Sequence, residues 1–260
     1  MIVSNRSLSR GLAIVRVFNE IPSPSLTEIA TRVELTKATC LRYLRTLQDE
    51  GYVSLDEHSK RYQLRPLVLE LGYAALSSLS LPLMAEAEME MLADEIGGSV
   101  HLGLLEGDEV VVVGRSVASR ETRKLITMNI HVGSRLPAHC SAMGRMLVAH
   151  HAEDIDAFVA RMRITKMTPK TLIHRGQLAH EIKESFQRGW SLVEEDLGIG
   201  YSAIGTLIET GNQPFALAVS VHTKDYTRTR LVREVLPLLR AAAERLQRAF
   251  RHSSSSAGAA

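Results

Sequence analysis

A chain of 260 residues is long enough for one large domain or two modest ones, each with a sizeable buried core. Its 45% hydrophobic and 23% charged residues are typical of a globular protein and exclude a fibrous or disordered one. No apolar run approaches the roughly 18 residues of a membrane-spanning helix, and three arginines interrupt the N-terminal apolar stretch, which is unlike a signal peptide. Two cysteines 100 positions apart form no disulfide framework, so we expect a protein of the reducing cytoplasm.

The net charge of +2 conceals an asymmetry along the chain. Residues 1–66 contain ten Lys/Arg and seven Asp/Glu, a net charge of +3, whereas the remainder contains 21 and 22, a net charge of −1. The basic excess includes Lys37, Arg42 and Arg45, in a stretch without acidic residues. An excess of this size is usually a solvated face, so it motivates only a search for a nucleic-acid-binding motif.

The beginning of the chain predicts two short helices separated by a proline-containing break. The first helix starts near Ser9, and helical spacing predicts a buried face made of Leu8, Leu12, Val15 and Phe18. The prolines at positions 22 and 24 then disfavour helical geometry in the residues before them. Ser25 and Glu28 have the spacing of a capping box, which predicts the start of the second helix.

A third helix and a hairpin complete this pattern. Thr36 is the predicted N-cap of a helix that runs to about Glu50, and its predicted buried stripe is Ala38, Leu41, Leu44 and Leu47. Gly51 ends that helix, and two alternating segments at 52–55 and 61–64, joined by a polar tip, predict a β-hairpin. Helix, tight turn, helix and hairpin in this order are typical of a winged helix-turn-helix DNA-binding domain, which we place at residues 1–65.

The polar residues of this domain have distinct expected roles on double-stranded DNA. Thr39, Arg42 and Tyr43 would reach base edges in the major groove, while lysines and arginines at the rim would contact phosphates. Hydroxyl groups near the start of the second helix would bind phosphate as well. The complete set of predicted DNA-binding residues is Ser25, Thr27, Thr36, Lys37, Thr39, Arg42, Tyr43, Arg45, Lys60 and Arg61. A three-helix interaction module that does not bind DNA is the alternative.

The rest of the chain predicts a linker helix at 66–81 and a second, α/β domain at 82–251. Pro66 suits the first turn of the linker helix. Strands are expected near 100–105, 109–115, 124–128, 190–194, 202–209 and 215–222, and helices near 83–95, 153–162, 175–188 and 228–250. Pro237 is expected to kink or restart the last helix, and the serine-rich residues 252–260 predict a flexible tail.

Two clusters in the second domain raise the alternative of an enzyme, a hydrolase or transferase with an accessory winged helix. His139 and Cys140 are adjacent, but consecutive helical residues point about 100° apart and no third residue is placed to orient the histidine. Glu194, Glu195 and Asp196 form an acidic run that is usually a solvated loop. The ten histidines lack metal-binding spacing, so we expect no catalysis, no metal and no cofactor.

A series of segments carries a resemblance to a known family. In chain order these segments are Ser9–Leu12, Leu26–Ala30, Leu35–Leu47, Gly51–Val53, Arg61–Leu64, Leu69–Gly72, Val132–Arg145 and Gly189–Ser191 with Glu194 and Glu195. Together they resemble the IclR family of transcriptional regulators over roughly residues 7–250. The resemblance implies an α/β two-domain protein with an N-terminal winged helix-turn-helix and a C-terminal GAF-like effector-binding domain. It also implies a homodimer or homotetramer on a palindromic operator, a contact with RNA polymerase, and an aromatic or dicarboxylic acid as effector.

The segment Leu136–Arg145 is most similar to regulators of aromatic catabolism that respond to protocatechuate, β-ketoadipate or p-hydroxybenzoate. Carried over by position, the effector pocket would use the backbone amides of Ala142 and Met143, with polar contacts from Ser220 and His222 on one strand face. The remaining pocket residues would be Leu125, Met128, Leu136, Val193, Tyr201 and Ala203.

The sequence departs from the family pattern at several positions. Val193 and Ala203 stand where family members often have Asp and Cys, Gly205-Thr206 replaces the usual Pro-Val, and Arg65 replaces the glycine after the wing. Polar contacts to the ligand are therefore lost at these positions. The departures leave the identity of the ligand open, whereas the expected fold is unaffected.

Overall fold

The computed structural model describes residues 5–79, 81–119, 130–211 and 213–257. The chain divides into two compact units, Met1–Ser78 and Leu79–Ala260. Each unit has its own hydrophobic core.

The first unit is a winged helix-turn-helix. Its elements are α1 (Arg6–Glu20), α2 (Leu26–Arg32), α3 (Lys37–Asp49), β1 (Val53–Asp56) and β2 (Arg61–Leu64), followed by α4 (Val68–Leu79). The strands β1 and β2 pair antiparallel, with Val53 opposite Leu64. The hairpin is attached to the helices because the Tyr62 amide donates to the Pro24 carbonyl at 2.9 Å, next to a bridge between Ser25 and Arg61.

The core of the first unit corrects two details of the sequence analysis. On α1, Ile14, Val17 and Phe18 are buried, whereas Leu8 and Leu12 are 62% and 50% exposed. All buried residues of α1 lie in its second half, which supplies the α1 side chains of the core cluster of this unit. On α3 the buried positions are Cys40 and Leu44, and Ala38 is exposed.

The second unit contains a six-stranded antiparallel sheet with helices on both faces. Its elements are α5 (Leu81–Ile96), β3 (Ser99–Glu106), β4 (Glu109–Val117), β5 (Arg135–Pro137), a 3-10 turn (Ala138–Cys140), α6 (Ala142–His151), α7 (Ile155–Arg161), α8 (Arg175–Arg188), β6 (Ser191–Glu194), β7 (Tyr201–Ile208), β8 (Phe215–His222), α9 (Arg228–Arg230) and α10 (Leu236–Ala257). The strand order is β5-β4-β3-β8-β7-β6. The strand expected at 124–128 lies outside the described residues.

Alternation along β3 separates the two faces of the sheet. Gly103 faces Met143 of α6, since a side chain there would lie 3.2 Å from the methionine sulfur. The neighbouring Leu102 points to the opposite face, where it meets Gly114 close to Met89 of α5. Helices α5 and α10 therefore cover one face, and α6 with α8 behind it covers the other.

At the end of the chain the last helix restarts next to Pro237, as expected, but it extends further than the sequence analysis predicted. A π-helical turn, Leu231–Val235, separates α9 from α10, and the Leu236 amide donates to the Leu231 carbonyl. This restart directly precedes Pro237, which has no amide hydrogen to continue a regular ladder. The helix α10 then continues to Ala257, so the predicted flexible tail from 252 is helical over most of its length. After Pro237, no proline or glycine occurs before Gly258.

No single helix in the described parts of the chain has the length and apolar character needed to cross a membrane. The residues of α4 and α5 reach the required length and hydropathy only when the two helices are counted together.

Candidate functional site

The outer face of α3 is basic and free of ion pairs. Thr36 caps the helix by accepting from the Thr39 amide at 3.3 Å, and the two hydroxyl groups lie 2.9 Å apart, so Thr39 is held against the cap. Lys37, Arg42 and Arg45 are exposed, and none of them pairs with a carboxylate of the described residues. A helix face with unpaired cations attracts a polyanion.

Arg10 of α1 adds to this basic face, and the sequence analysis missed it. A concave surface in the first unit brings its guanidinium together with those of α3 and is lined by Ser7, Arg10, Thr39, Arg42, Tyr43, Arg45 and Thr46. No sequence motif marks Arg10, because it lies on an exposed side of α1 and approaches α3 only in the folded unit.

Two predicted DNA contacts near the wing have structural roles. The Arg61 guanidinium donates to the Ser23 carbonyl at 2.5 Å and pairs with Glu28 at 3.1 Å. The Ser25 hydroxyl accepts from the Glu28 amide at 3.3 Å, and its own amide donates to the Glu28 carboxylate. The hydrogen bonds from Ser25, followed by Arg61, lower the pKa of Glu28. Lys60 at the wing tip and Thr27 on α2 are exposed, and the Lys60 ammonium pairs with Glu57 at 2.6 Å on the surface of the wing.

The second unit contains a mainly apolar cavity between the start of α6 and the sheet. The space between its walls, with the open solvent at its mouth included, is about 440 Å³. Seven of the predicted effector residues line it, namely Leu136, Ala142, Met143, Val193, Tyr201, Ala203 and Ser220. Leu125 and Met128 lie outside the described residues.

His222 was also expected in the cavity, but it is not among the lining residues. Its ring stacks edge-on against that of Tyr201, with 5.4 Å between the ring centroids. The strand register explains this position, since His222 lies opposite Tyr201 near the end of β8, whereas Ser220 lies opposite Ala203.

Seven further residues also line the cavity, and the sequence analysis did not assign them to it. They are His101, Ile130, Ser141, Leu197, Gly198, Ser202 and Ala218. A signal for His101 was present, because a histidine between Val100 and Leu102 is a polar residue inside an apolar strand. The others come from loops and neighbouring strands whose approach the sequence does not reveal.

Close packing fixes the start of α6 at the cavity. The Ser141 hydroxyl accepts from the Gly144 amide at 2.8 Å, and the Ser191 hydroxyl donates to the Ala142 carbonyl at 2.5 Å. A side chain at Gly205 would lie 3.2 Å from the Ala142 backbone, so the glycine of β7 allows the helix to approach the sheet. The amides of Ala142 and Met143, the first of α6, have no acceptor within the helix, whereas the Gly144 amide is already bound by Ser141.

A buried ion pair holds the loop beside the cavity. Arg145 of α6 donates to Asp196 at 2.5 Å, with the two side chains 4% and 10% exposed. Arg145 also donates to the carbonyl of His139 at 2.9 Å. Leu197 and Gly198, which line the cavity, directly follow Asp196. The expectation of a solvated acidic loop is therefore wrong for Asp196, because its carboxylate turns inward to a cation that is distant in sequence.

The acidic cluster and the His-Cys pair lack the features of a catalytic site. Glu194 pairs with Arg228 at 2.7 Å, and Glu195 pairs with Lys170, whose hydrogen bond lowers the pKa of Glu195. Burial raises the pKa of Cys140 to about 12, so its thiol stays protonated and unreactive. Among the described residues, no group of three or more His, Cys, Asp or Glu side chains is arranged to hold a metal ion.

A winged helix with a basic recognition face and an α/β domain with an apolar cavity define a ligand-responsive, DNA-binding transcriptional regulator. The chain belongs to the IclR family. Its residues 7–57 match the IclR helix-turn-helix domain, and residues 73–248 match the bacterial transcriptional regulator IclR C-terminal domain. The resemblance found in the sequence and the two-domain fold are thereby confirmed, and the family is one of regulators rather than enzymes.

Individual relatives span nearly the whole chain. The Pca regulon regulatory protein of Pseudomonas putida is 33% identical over 244 residues, which cover 92% of this chain and 82% of the relative. The structure of a transcriptional regulator from Rhodococcus sp. RHA1 has a TM-score of 0.80 at 31% identity and covers 96% of this chain and 100% of that one. An IclR homolog from Microbacterium hydrocarbonoxydans, complexed with 4-hydroxybenzoate, shares the fold with a TM-score of 0.80 at 19% identity over 94% of this chain and 99% of that one.

Proposed function

We propose that this regulator controls genes of aromatic-compound catabolism and that its effector is a small aromatic acid bound in the cavity. The observation that carries the proposal is the cavity itself, an apolar space that ends at the fixed amides of Ala142 and Met143. The Pca regulon relative and the 4-hydroxybenzoate complex of the more distant homolog support this class of ligand.

The chemistry of the cavity suits a monoanionic aromatic acid. None of the described residues that line it is a lysine or arginine, so a carboxylate would be stabilised by the amides at the start of α6 and by hydroxyl groups such as that of Ser220. The aromatic ring would lie between Leu136, Met143 and Val193, which are buried apolar side chains. A dicarboxylic acid is the second candidate, but an apolar wall opposite the amides disfavours a second charge.

On DNA, we propose that α3 occupies the major groove of a palindromic operator, with Arg42 at base edges and Lys37, Arg45 and Lys60 at phosphates. Arg10 joins the phosphate contacts because it shares the concave surface with Arg42. Arg61 acts indirectly by holding the wing to α2. Regulation in the cytoplasm then requires that the effector binds two arrangements of the protein with different affinity.

A homodimer or homotetramer is the proposed form on the operator, since a palindrome pairs with a two-fold symmetric protein. Exposed apolar side chains on two helices support self-association. Leu69, Leu71 and Tyr73 of α4 are 72%, 62% and 67% exposed, and Leu8 and Leu12 of α1 are exposed as well. Contact with RNA polymerase is a further proposal that follows from the regulatory role.

Arg42→Ala and Lys60→Ala are expected to affect DNA binding differently. Losing a base contact at Arg42 should cost about 1–3 kcal/mol on the preferred operator and relax the preference at that base pair. Losing a phosphate contact at Lys60 should weaken binding to all sequences alike and lower the salt slope by about 1. Gel shifts on the upstream DNA of its own gene, with a scrambled competitor at several salt concentrations, measure both effects.

The DNA proposal is tested by the same gel shifts. Without a salt-sensitive, sequence-selective shift of the wild-type chain, it is wrong. If Arg42→Ala weakens binding equally to every DNA sequence, Arg42 contacts phosphates rather than base edges.

Ser220→Ala is expected to weaken effector binding more than His222→Ala. Ser220 lines the cavity, so its loss removes a hydrogen bond worth about 0.5–1.5 kcal/mol. His222 acts on the ligand only through Tyr201. A thermal-shift panel of benzoates and dicarboxylates measures this, because a ligand at about 100 times its Kd adds about 2.7 kcal/mol to the stability of the folded state. A panel without any response contradicts the proposed effector class, and an unchanged response of Ser220→Ala contradicts the assigned contact.

A further inference from the structure

One buried polar atom in the cavity wall has no hydrogen-bond partner among the described residues. His101 lies on β3 opposite Ala218 of β8, on the face of the sheet that the cavity uses. Its side chain is buried, with the residue 4% exposed, and its Nδ1 atom forms no hydrogen bond with any of the described residues. Met143 and Ser220 line the same cavity.

An unpaired, buried polar nitrogen is uncommon in folded proteins and reduces their stability. Among the described residues, three side chains have such an atom, namely Ser77, His101 and His139. Of these, His101 alone is a lining residue of the cavity. The other ring nitrogen of His139, Nε2, lies 2.9 Å from the Thr165 carbonyl, so that ring is already oriented by the protein.

The charge state of the imidazole restricts what it can bind. Burial, together with the nearby positive charge of Arg115, lowers the pKa of His101 to about 4. At neutral pH the ring is therefore uncharged, with one nitrogen as a donor and the other as an acceptor. A carboxylate is stabilised more strongly at the amides of α6 than beside His101, because a helix N-terminus favours negative charge. An uncharged hydroxyl group is the better partner for the neutral imidazole.

We infer that His101 is a specificity-determining residue that hydrogen-bonds a ring hydroxyl of the effector while the carboxylate of the effector lies at the start of α6. The inference rests on the proposed function, in which an aromatic acid occupies the cavity. It names the ligand class more closely as hydroxylated benzoates, which supply the partner that Nδ1 lacks. Benzoate fills the same space but leaves the imidazole unsatisfied.

Calorimetric titration of the full chain with benzoate, 3-hydroxybenzoate, 4-hydroxybenzoate and 3,4-dihydroxybenzoate tests this inference. The wild-type protein should bind at least one hydroxylated acid about tenfold more tightly than benzoate. In His101→Leu that preference should fall to about twofold or less, with benzoate affinity within about threefold of wild type. His101→Gln, which keeps a donor and an acceptor, should retain part of the preference. His150→Leu is the matched control on an exposed part of α6 and should retain all of it.

Thermal unfolding without ligand separates recognition from a structural role. Because His101→Leu removes an unsatisfied buried nitrogen, its Tm should equal or exceed that of the wild-type protein. A lower Tm together with an equal loss of affinity for all four acids would mean that His101 is structural, and the inference would be wrong. Wild-type preference retained in His101→Leu would also overturn it, while leaving the proposed function intact. If the wild-type protein binds none of the four acids, the proposed function fails and the inference fails with it.

Discussion

Replacing Gly144 by alanine is expected to destabilise the second unit by about 3 kcal/mol or more. Gly144 lies in the first turn of α6, and an added Cβ would overlap the backbone of Ala138 in the preceding 3-10 turn. That turn cannot move aside easily, since the Ala138 amide donates to the Asp108 carbonyl at 3.0 Å and His139 is bound to the Thr165 carbonyl. The clash is with backbone, so no side-chain rotation relieves it.

Urea unfolding followed by tryptophan fluorescence measures this effect. The chain has a single tryptophan, Trp190, directly before β6, so the signal reports on the second unit. Gly176→Ala is the matched control, because Gly176 is in the first turn of α8 and a Cβ there would meet only the His174 ring at 3.6 Å. Alanine should stabilise that exposed helical position by about 0.5–1 kcal/mol. Equal unfolding midpoints for Gly144→Ala and the wild-type protein would refute the clash.

A Gly144→Ala protein that still folds should have lost effector binding. Relief of the clash requires the start of α6 to move away from Ala138, which displaces the amides of Ala142 and Met143 from the cavity. Thermal shift with the acid that stabilises the wild-type protein measures this second effect, and a wild-type ligand response would show that α6 had not moved.

The sequence correctly predicts those features of the fold that depend only on residues close together in the chain, such as helix caps. The Ser25–Glu28 capping box and the Thr36 cap are both present, because a cap needs only residues within one turn. The helix at 175–188 and the strand at 215–222 also have the predicted bounds. Helical spacing places residues on one face, but it does not reveal which part of that face a neighbouring element covers, and Leu8 and Leu12 are exposed.

The candidate site depends more on the tertiary fold than on local pattern. Family resemblance located Ser220 and Met143, but Asp196 meets Arg145 across 51 positions and the Arg61 guanidinium meets Ser23 across 38. No spacing rule connects such residues. His101 became a candidate only when the sheet register placed it opposite Ala218 and α6 closed the space above it.

Arg145→Met is expected to destabilise the second unit by about 3–5 kcal/mol, because it leaves the Asp196 carboxylate buried without a cation. The amides of Leu172 and Glu194 would be its remaining donors, at 3.3 Å and 3.1 Å. Arg230→Met, which removes an exposed pair with Glu234, should lower the urea midpoint far less than Arg145→Met. Urea unfolding monitored at Trp190 compares the two variants, and equal effects would contradict a special role for burial.

The double variant Arg145→Met/Asp196→Leu separates stability from function. Replacing both charges by apolar side chains of similar size often restores the stability that a single replacement removes, so the double variant should unfold at higher urea than Arg145→Met. It should nevertheless bind the effector weakly, because Asp196 no longer anchors Leu197 and Gly198 at the cavity wall. Recovery of stability with weak binding would show that the ion pair is retained for the shape of the cavity. Recovery of both would show that the loop needs no charge to hold its position.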